Sequence, residues 1–384
     1  MKTYLTKARV VLPDMVVADG ALLLEDGIIS AVNPETTRAD REIDLQGLVL
    51  MPGMIDLHCD SLEKEVEPRP NVFFPADLAV AQADRRNALA GITTIFHALS
   101  FAEGELGVRN PAMAAKIARI VRQRQAFGLV ANYVHCRYEI TDPNSLDVIK
   151  ELMVEGAVRL LSLMDHTPGQ GQFKNIADYH SFLMKSYNRS AAEADSLIET
   201  KFNRSHQAFA RLSHLAAEAN RHDIPLASHD DDHPERVETL ARLGVVISEF
   251  PVNRESAQAA KRLGLHTIFG APNVLRGKSQ NGSMRALDAV REGIADCLCA
   301  DYHPGTMLPA VFRLPESAGI SLAEAIRLVT VNPARAAGLA DRGEIAVGKR
   351  ADLVVAGEQG GIHHIVLVFV GGRKIFQAGT HGNR

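Results

Sequence analysis

The stretch MPGMIDLHCD, residues 51–60, is apolar for most of its length and then ends in ionisable side chains. Its apolar residues predict a buried β-strand, and successive side chains of a strand point to opposite faces. This alternation predicts that His58 and Asp60 face one side of the strand while Cys59 faces the other. An imidazole beside a carboxylate at a strand end provides half of a divalent-metal site. The stretch therefore predicts the first wall of a metal centre.

Apolar runs alternate with segments of helical spacing from this stretch onward. Strands that alternate with helices indicate βαβ units and a parallel sheet. Eight such strands are typical of a closed (β/α)8 barrel, an α/β fold of the TIM-barrel type, which we assign to residues 51–341. The eight runs are 48–58, 91–101, 129–140, 158–166, 225–232, 245–251, 266–273 and 297–304.

Polar or ionisable residues end every one of these runs. In a barrel of this type the active site lies at the carboxyl ends of the strands, so the pattern predicts a catalytic mouth. The residues at the run ends are His58, Asp60, His97, Arg137, Glu139, Asp165, His166, His229, Asp230, Asp231, Asp232, Glu249, Asn273, Asp301 and His303.

Both ends of the chain differ from its centre. Residues 1–50 and 342–384 contain short strand-like pieces separated by Gly and Asp turn signals, and they predict one small β-sandwich domain built from both termini. The segment 167–205 is too long for a simple loop and predicts a partly helical insertion that covers the mouth.

Composition excludes several classes of function. The chain has 384 residues and a formal net charge of −4, which gives no reason to expect nucleic acid or an anionic membrane as a partner. We find no signal peptide at the N-terminus and no apolar stretch approaching the roughly 20 residues that span a bilayer. Four cysteines without zinc-knuckle spacing indicate reduced thiols, and we expect a cytoplasmic protein.

Several motifs resemble those of a known superfamily. PGMIDLHCD is similar to the first-strand motif of the amidohydrolases, and RGEIAVGKRADLVV resembles their terminal β-sandwich. A narrower set, HCDSLEKEVEPRP, LMDHTPGQGQF, SHDDD, GAPNVLRGKSQNG and ADYHP, resembles the PhnM-type amidohydrolases of phosphonate metabolism. The resemblance implies a metal-dependent diphosphatase that hydrolyses α-D-ribose 1-methylphosphonate 5-triphosphate to the 5-phosphate and pyrophosphate.

The resemblance also implies roles for individual residues. His58, Asp60 and His229 match positions of metal ligands, and Asp301 matches an aspartate that binds metal and takes a proton from the attacking water. The remaining ligands stay open, because the chain has no lysine on strand four and a carboxylate instead of a histidine on strand six. Glu139, His166 and Glu249 are the candidates. The cofactor is one or two divalent ions, with zinc favoured and manganese or iron(II) open.

A triphosphate on a small sugar needs cations or N–H donors near the reacting phosphorus. The strand ends and adjoining loops supply such groups, and GAPNVLRGKSQNG has the composition of an oxyanion-binding loop. Arg137 is the strongest of them, because it lies within an apolar strand. The predicted substrate-binding residues are Lys64, Arg69, Arg137, Arg276, Lys278 and His303, with Lys174 and Arg254 as further candidates.

Two other functions compete with this interpretation. The first is hydrolysis of a cyclic amide or N-acyl bond, as in dihydroorotase- or deacetylase-like relatives, which favour H-x-H on strand one and a histidine on strand six. The second is a metal-binding scaffold that associates with other phosphonate-pathway enzymes, which predicts gaps in the ligand set. The sequence leaves open the choice between ribose and nucleoside triphosphates, and also the oligomeric state, for which a homodimer is the commonest arrangement.

Overall fold

The computed structural model describes residues 1–35, 38–102, 108–167, 175–186, 190–205, 208–279 and 282–379. Within these ranges, none of the helices has the length and apolar character that crossing a membrane requires. The predicted substrate contact Lys174 and part of the predicted insertion lie outside the described residues.

Eight parallel strands form a nearly closed barrel, as predicted for the centre of the chain, and they follow one another in sequence order. They are β6 (Met54–Cys59), β7 (Ile92–Phe101), β8 (Ala131–Glu139), β9 (Leu160–Met164), β10 (Leu226–His229), β11 (Val245–Glu249), β12 (His266–Gly270) and β13 (Cys297–Cys299). Aliphatic and aromatic side chains such as Leu57, Phe96 and Ile247 fill the interior.

The barrel closes between its first and last strands. The Asp60 N–H donates to the Asp301 carbonyl and the Asp301 N–H donates to the His58 carbonyl, each at 2.9 Å. Asp56 adds a side-chain link, because its Oδ1 accepts the Ala300 N–H at 3.1 Å. The residues next to the predicted metal centre therefore also join the two edges of the sheet.

Helices surround the barrel. Local sequence explains several helix starts: Asn110 and Asn253 accept the N–H groups of Met113 and Ser256, and Ser321 forms a capping box with Glu324. The helices are α1 (Ser61–Val66), α2 (Ala76–Leu89), α3 (Pro111–Arg124), α4 (Leu146–Val154), α5 (Ile176–Ser186), α6 (Ala191–Ser205), α7 (Ala208–Arg221), α8 (Pro234–Arg242), α9 (Arg254–Arg262), α10 (Ala271–Arg276), α11 (Ala286–Arg291), α12 (Met307–Ala318), α13 (Leu322–Arg327) and α14 (Val331–Ala336).

Strands from both termini form a second, eight-stranded sheet. They are β1 (Lys2–Val11), β2 (Val16–Glu25), β3 (Ile28–Val32), β4 (Arg41–Asp44), β5 (Val49–Pro52), β14 (Leu353–Gln359), β15 (Ile362–Val370) and β16 (Arg373–Gln377). Strand β5 pairs with both β1 and β14, and so it joins the N-terminal strands to the C-terminal ones. The predicted domain boundary at residue 50 falls within β5.

Gly53 connects this sheet to the barrel. A Cβ atom at this position would lie 2.2 Å from Thr93 Oγ1, so only glycine fits between β5 and β6. The glycine of the PGMID motif therefore allows the chain to pass from the terminal sheet into the first barrel strand without a steric clash.

The first barrel strand departs from simple alternation. The register of β6 against β7 shifts between Asp56 and Cys59, where β6 contains one extra residue, and this is a β-bulge. Leu57 packs in the barrel interior, and the ring of His58 also faces inward against His135. Asp60 lies beyond the strand, at the N-cap position of α1. The bulge, rather than alternation alone, directs His58 into the barrel.

The candidate metal centre at the barrel mouth

Three strand ends at the mouth share an uncommon backbone conformation. Asp230 and Phe250 directly follow β10 and β11, and Asp301 lies two residues after β13. Their φ angles are positive, at 54°, 52° and 57°. Left-handed conformations cost a non-glycine residue roughly 1–2 kcal/mol. The N–H of Asp230 donates to Glu249 and that of Phe250 to Ile268, each at 2.9 Å, so the turned backbone keeps its hydrogen bonds to the next strand. Strain of this kind clusters at functional sites.

Glu249 lies at the centre of the site. Its Oε1 accepts a hydrogen bond from His58 Nδ1 at 3.1 Å, and its Oε2 accepts one from His229 Nδ1 at 3.3 Å. Ser162 Oγ donates to Oε2 at 2.8 Å. Burial alone would raise the pKa of this carboxyl, but the hydrogen bonds from His58 and His229 and the charge of His58 hold the pKa of Glu249 well below its usual range.

His135 joins this cluster, although the sequence analysis did not select it. Its Nδ1 donates to the Leu57 carbonyl at 3.0 Å, so its Nε2 carries a lone pair. That Nε2 is buried, lies 3.7 Å from Glu249 Oε1 and has no hydrogen-bond partner among the described residues. Burial lowers the pKa of His135 to about 3, so the imidazole is neutral at physiological pH. A buried, neutral and unpartnered imidazole nitrogen is suited to a metal ion.

His166 has a similar arrangement on the neighbouring strand end. Its Nδ1 bonds Glu139 Oε2 at 2.9 Å, and its Nε2 is buried without a hydrogen-bond partner among the described residues. Thr141 Oγ1 donates to the other oxygen of Glu139 at 2.8 Å. Glu139, predicted as a ligand or bridge, therefore holds the His166 ring. Asp165 instead pairs with Arg236 at 3.1 Å.

Two groups of donors have the geometry of a metal site. His58, His229 and Glu249 each offer a ligand atom, and these atoms lie within 4.8 Å of one another. His166, His229 and Asp230 form a second such group, so His229 belongs to both. Imidazole and carboxylate donors suit zinc, manganese and iron(II). Together with the unpartnered nitrogens, these donors fit one or two divalent cations.

Asp301 and Asp60 lie beside this cluster at the junction of β6 and β13. Burial and the nearby carboxylates, Asp60 and Asp230, raise the pKa of Asp301 to about 6, although His58 and Arg137 oppose the shift. The carboxylate of Asp60 pairs with Arg109 Nη2 at 3.2 Å.

Arg109 was not predicted, since it reaches the mouth from a loop rather than from a strand. Its Nε bonds Glu63 Oε2 at 2.7 Å, and Glu63 Oε1 accepts the N–H of Ser100 at 2.9 Å. The buried carboxylate of Glu63 therefore fixes the guanidinium that contacts Asp60.

Arg137 is a buried cation on the same strand as His135. Its side chain is 8% exposed, and its Nε is buried without a hydrogen-bond partner. Among the residues that the structure describes, none accepts a hydrogen bond from Arg137 or lies within ion-pair distance of it. Its charge disfavours protonation of His58, His135 and His229, which places it in their electrostatic neighbourhood.

The other predicted substrate contacts lie on the exposed rim. Lys64 on α1 and Arg69 just beyond it are exposed, as are Lys278 and His303 in the loops after β12 and β13. Arg276 Nη1 donates to the hydroxyl of Tyr302 at 3.3 Å, which links the end of α10 to the loop after β13. Another candidate, Arg254, pairs with Glu292 at 2.5 Å.

Comparison with known proteins gives the same family as the motifs. The model of the amidohydrolase family matches residues 49–375. The chain is 34% identical over 381 residues to the α-D-ribose 1-methylphosphonate 5-triphosphate diphosphatase of Escherichia coli (strain K12), covering 97% of this chain and 100% of that protein. The family predicted from the sequence is thereby confirmed.

Solved structures agree with the fold. N-acetyl-D-glucosamine-6-phosphate deacetylase from Mycobacterium smegmatis has a TM-score of 0.65 and 16% identity, covering 97% of this chain and 100% of that one. The 5-methylcytosine deaminase of Klebsiella pneumoniae has the same TM-score and identity, with 100% of both chains covered. The chain is thus a hydrolase of the amidohydrolase family, and the E. coli diphosphatase is a relative along its whole length.

Proposed function

We propose that this hydrolase cleaves a phosphoanhydride bond of α-D-ribose 1-methylphosphonate 5-triphosphate and releases pyrophosphate, the reaction implied by its resemblance to the PhnM-type amidohydrolases. One observation supports this choice above the others, namely the buried guanidinium of Arg137 without a partner among the described residues. The small phosphorylated sugar would supply a directly paired anion.

Electrostatics favours an anionic substrate over a neutral one. A buried charge without a counter-charge is unfavourable, because its lost hydration is not replaced. The planar guanidinium of Arg137 matches the oxygens of a phosphate group, to which it can donate two parallel hydrogen bonds. The carboxylates of Glu63 and Asp301 interact with Arg137 at longer range but do not pair with it. A cyclic amide or an N-acyl group brings little charge, so the guanidinium would still lack a directly paired anion.

We infer that the metal-binding residues are His58, His229 and Glu249, with His135, His166 and Asp230 completing the set. We also assign Asp60 and Asp301 to the metal-binding residues, because they match the motifs of the first and eighth barrel strands. A divalent cation bound there lowers the pKa of water from about 15.7 towards 7. Glu139 is better explained as the residue that orients His166 than as a bridging ligand.

The reaction then assigns one task to each group. The water oxygen forms a bond to the phosphorus nearest the ribose, and the bond from that phosphorus to the bridging oxygen breaks. Pyrophosphate leaves with the electron pair, and the carboxylate of Asp301 takes the proton of the water. Arg137 donates to the phosphate oxygens, where it stabilises the charge that develops.

Phosphorus NMR of the metal-loaded protein tests this proposal. The sample is ribose 1-methylphosphonate 5-triphosphate, with ATP, cyclic amides and N-acyl amino acids run alongside. Release of pyrophosphate by the wild type, and its loss in Asp301→Asn and Arg137→Met, is the expected result. Turnover of an amide without any phosphate chemistry would overturn the proposed substrate and favour the deacetylase-like alternative. If ATP were hydrolysed as fast as ribose 1-methylphosphonate 5-triphosphate, the proposed preference of the enzyme for the ribose substrate would be rejected.

A further inference from the structure

The inserted helices α5 and α6 form a small unit of their own beside the mouth. Tyr179 and Leu183 of α5 pack against Ala194 and Ile198 of α6, which buries four apolar side chains between the helices. On α7, Arg211 Nη2 donates to the carbonyl of Arg204 at 2.8 Å and to that of Ile140 at 3.0 Å. These bonds tie the end of α6 to the residue that follows β8.

Lys201 projects from the last turns of α6 toward this strand end. Its Nζ lies 3.7 Å from Glu139 Oε2, and it lies 5.7 Å from the ring centroid of Tyr179. Only 18% of its side chain is exposed. The distance to Glu139 is within ion-pair range but longer than a hydrogen bond, so Coulomb attraction alone joins the two groups.

Arg137 lies on β8, and Lys201 on α6 reaches the end of the same strand at Glu139. Arg137 and Glu139 are two residues apart on β8, and side chains with this spacing share a face of the strand about 6.6 Å apart. Arg137 is therefore the deeper cation, and Lys201, placed beside Glu139, is the one nearer the rim. A chain of phosphates that enters the barrel from the rim would meet Lys201 first and Arg137 next.

We propose that Lys201 is a specificity-determining residue that binds the outer phosphate of the leaving pyrophosphate group. The proposal rests on the proposed function, because it assigns the inner phosphates to Arg137 and the metal-binding cluster. Lys201 thereby distinguishes a triphosphate from shorter phosphate esters. Its contribution is to substrate binding, since the outer phosphate changes little in charge while the inner anhydride bond breaks.

Steady-state kinetics of the metal-loaded, full-length chain tests this role with Lys201→Gln and Lys201→Arg. We expect Lys201→Gln to raise KM for the triphosphate roughly tenfold, the value of one charge-assisted hydrogen bond, while kcat changes less than about twofold. Lys201→Arg keeps the charge and should restore most of the loss. Lys150→Gln on α4, which removes a lysine outside the mouth, is the matched control and should behave as the wild type.

Calorimetric titration of pyrophosphate into the same proteins separates this proposal from the proposed function. If Lys201→Gln binds pyrophosphate more weakly than the wild type, the role of Lys201 is supported. If the wild type turns over no triphosphate, the proposed function is rejected, but the role of Lys201 in binding pyrophosphate is not. If the wild type hydrolyses the triphosphate and Lys201→Gln has an unchanged KM, the role of Lys201 is rejected and the proposed function stands. A loss confined to kcat also overturns the role of Lys201, because Lys201 would then act through Glu139 and His166.

Discussion

Glu249 holds two imidazole rings at once, one on each carboxylate oxygen. In Glu249→Gln, the amide nitrogen would face a ring N–H or the Ser162 hydroxyl, and at least one of these hydrogen bonds would be lost. We expect metal affinity to fall by at least about 10- to 100-fold, because the variant weakens a donor of the site and also disturbs the groups that orient His58 and His229. Competition with a chromogenic chelator measures this. Glu238→Gln, on the exposed side of α8, should leave the affinity unchanged, and equal affinities in all three proteins would contradict the assignment.

Arg137 and Arg342 have the same exposure, 8%, but opposite surroundings. Arg342 pairs with Asp341 at 2.8 Å and lies 3.7 Å from Asp352, whereas Arg137 has no such partner among the described residues. Replacing Arg342 by Met should lower the free energy of unfolding by about 1–3 kcal/mol, because it removes the hydrogen bonds to Asp341 and Thr94, while the buried Asp352 keeps Arg350 at 2.8 Å as its counter-charge. Replacing Arg137 by Met should leave it unchanged or raise it by about 1 kcal/mol.

The same Arg137→Met variant should lose at least about 100-fold in kcat/KM, because a donor to the developing charge has been removed. Urea unfolding of the metal-free proteins and kinetics of the loaded ones measure the two effects separately. A large loss of stability in Arg137→Met would mean that the guanidinium has a structural partner and is not reserved for substrate.

Several residues of the cluster can be found from the sequence because each ends an apolar run. His58, His229 and Glu249 were selected in this way, and the structure brings them together. His135 lies four residues before the end of β8 and was passed over, although it alternates with Arg137 and Glu139 on one face of the strand. Arg109 follows no such pattern, since a loop carries it to Asp60 and Glu63.

At the scale of elements, a buried chain of hydrogen bonds joins α2, β7 and β8. His97 Nε2 bonds Asn132 Oδ1 at 2.9 Å, and Asn132 Nδ2 donates to Asp84 Oδ1 at 2.7 Å. Burial lowers the pKa of His97 in the folded protein. Below a pH of about 6.5 the unfolded chain binds a proton that the folded one does not, so the folded state loses stability as pH falls.

A glutamine at position 97 retains an N–H donor but does not titrate. We therefore expect the metal-free wild type to lose stability more steeply than His97→Gln below pH 6.5, by up to about 1.4 kcal/mol per pH unit. Urea unfolding at several pH values between 8 and 5.5 gives both curves. Parallel curves for the two proteins would show that His97 takes up its proton equally well in the folded state.

Strand periodicity predicted the barrel but not the local geometry of β6. Alternation describes a regular strand, and the extra residue between Asp56 and Cys59 breaks that regularity. Bulges depend on pairing with the neighbouring strand, which a single run of sequence does not specify. The positive φ angle of Phe250 was unpredictable for the same reason, because contacts across the sheet impose it on a bulky residue that does not favour it.

For the whole molecule, the candidate metal-binding cluster joins strands that are distant in sequence. His58, His135, His229 and Glu249 come from β6, β8, β10 and β11, and His166 follows β9. Removing the metal should lower the free energy of unfolding by about 4 kcal/mol when the free ion is held at 1,000 times its dissociation constant. Thermal unfolding with and without chelator measures the total effect.

Hydrogen exchange locates this effect within the molecule. After chelation, amide protection should fall first in β8 to β11, while the terminal sheet, which has a hydrophobic core of its own, should keep its protection. A uniform loss over both sheets would indicate that the barrel and the terminal sheet unfold as one unit.

The closure of the barrel between β6 and β13 also determines when a chain that is still being translated can first become active. Asp56 and Ala300, which are hydrogen-bonded across this junction, are separated by 244 residues of sequence. A ribosome adding about 5–20 residues per second needs on the order of tens of seconds to synthesise that interval. During this time His58 has been made but Asp301 has not, and strand β5 still lacks its partner β14. The nascent protein therefore acquires its last barrel strand and its complete mouth only after β13 has been made, and its terminal sheet only after β14 to β16 have been made.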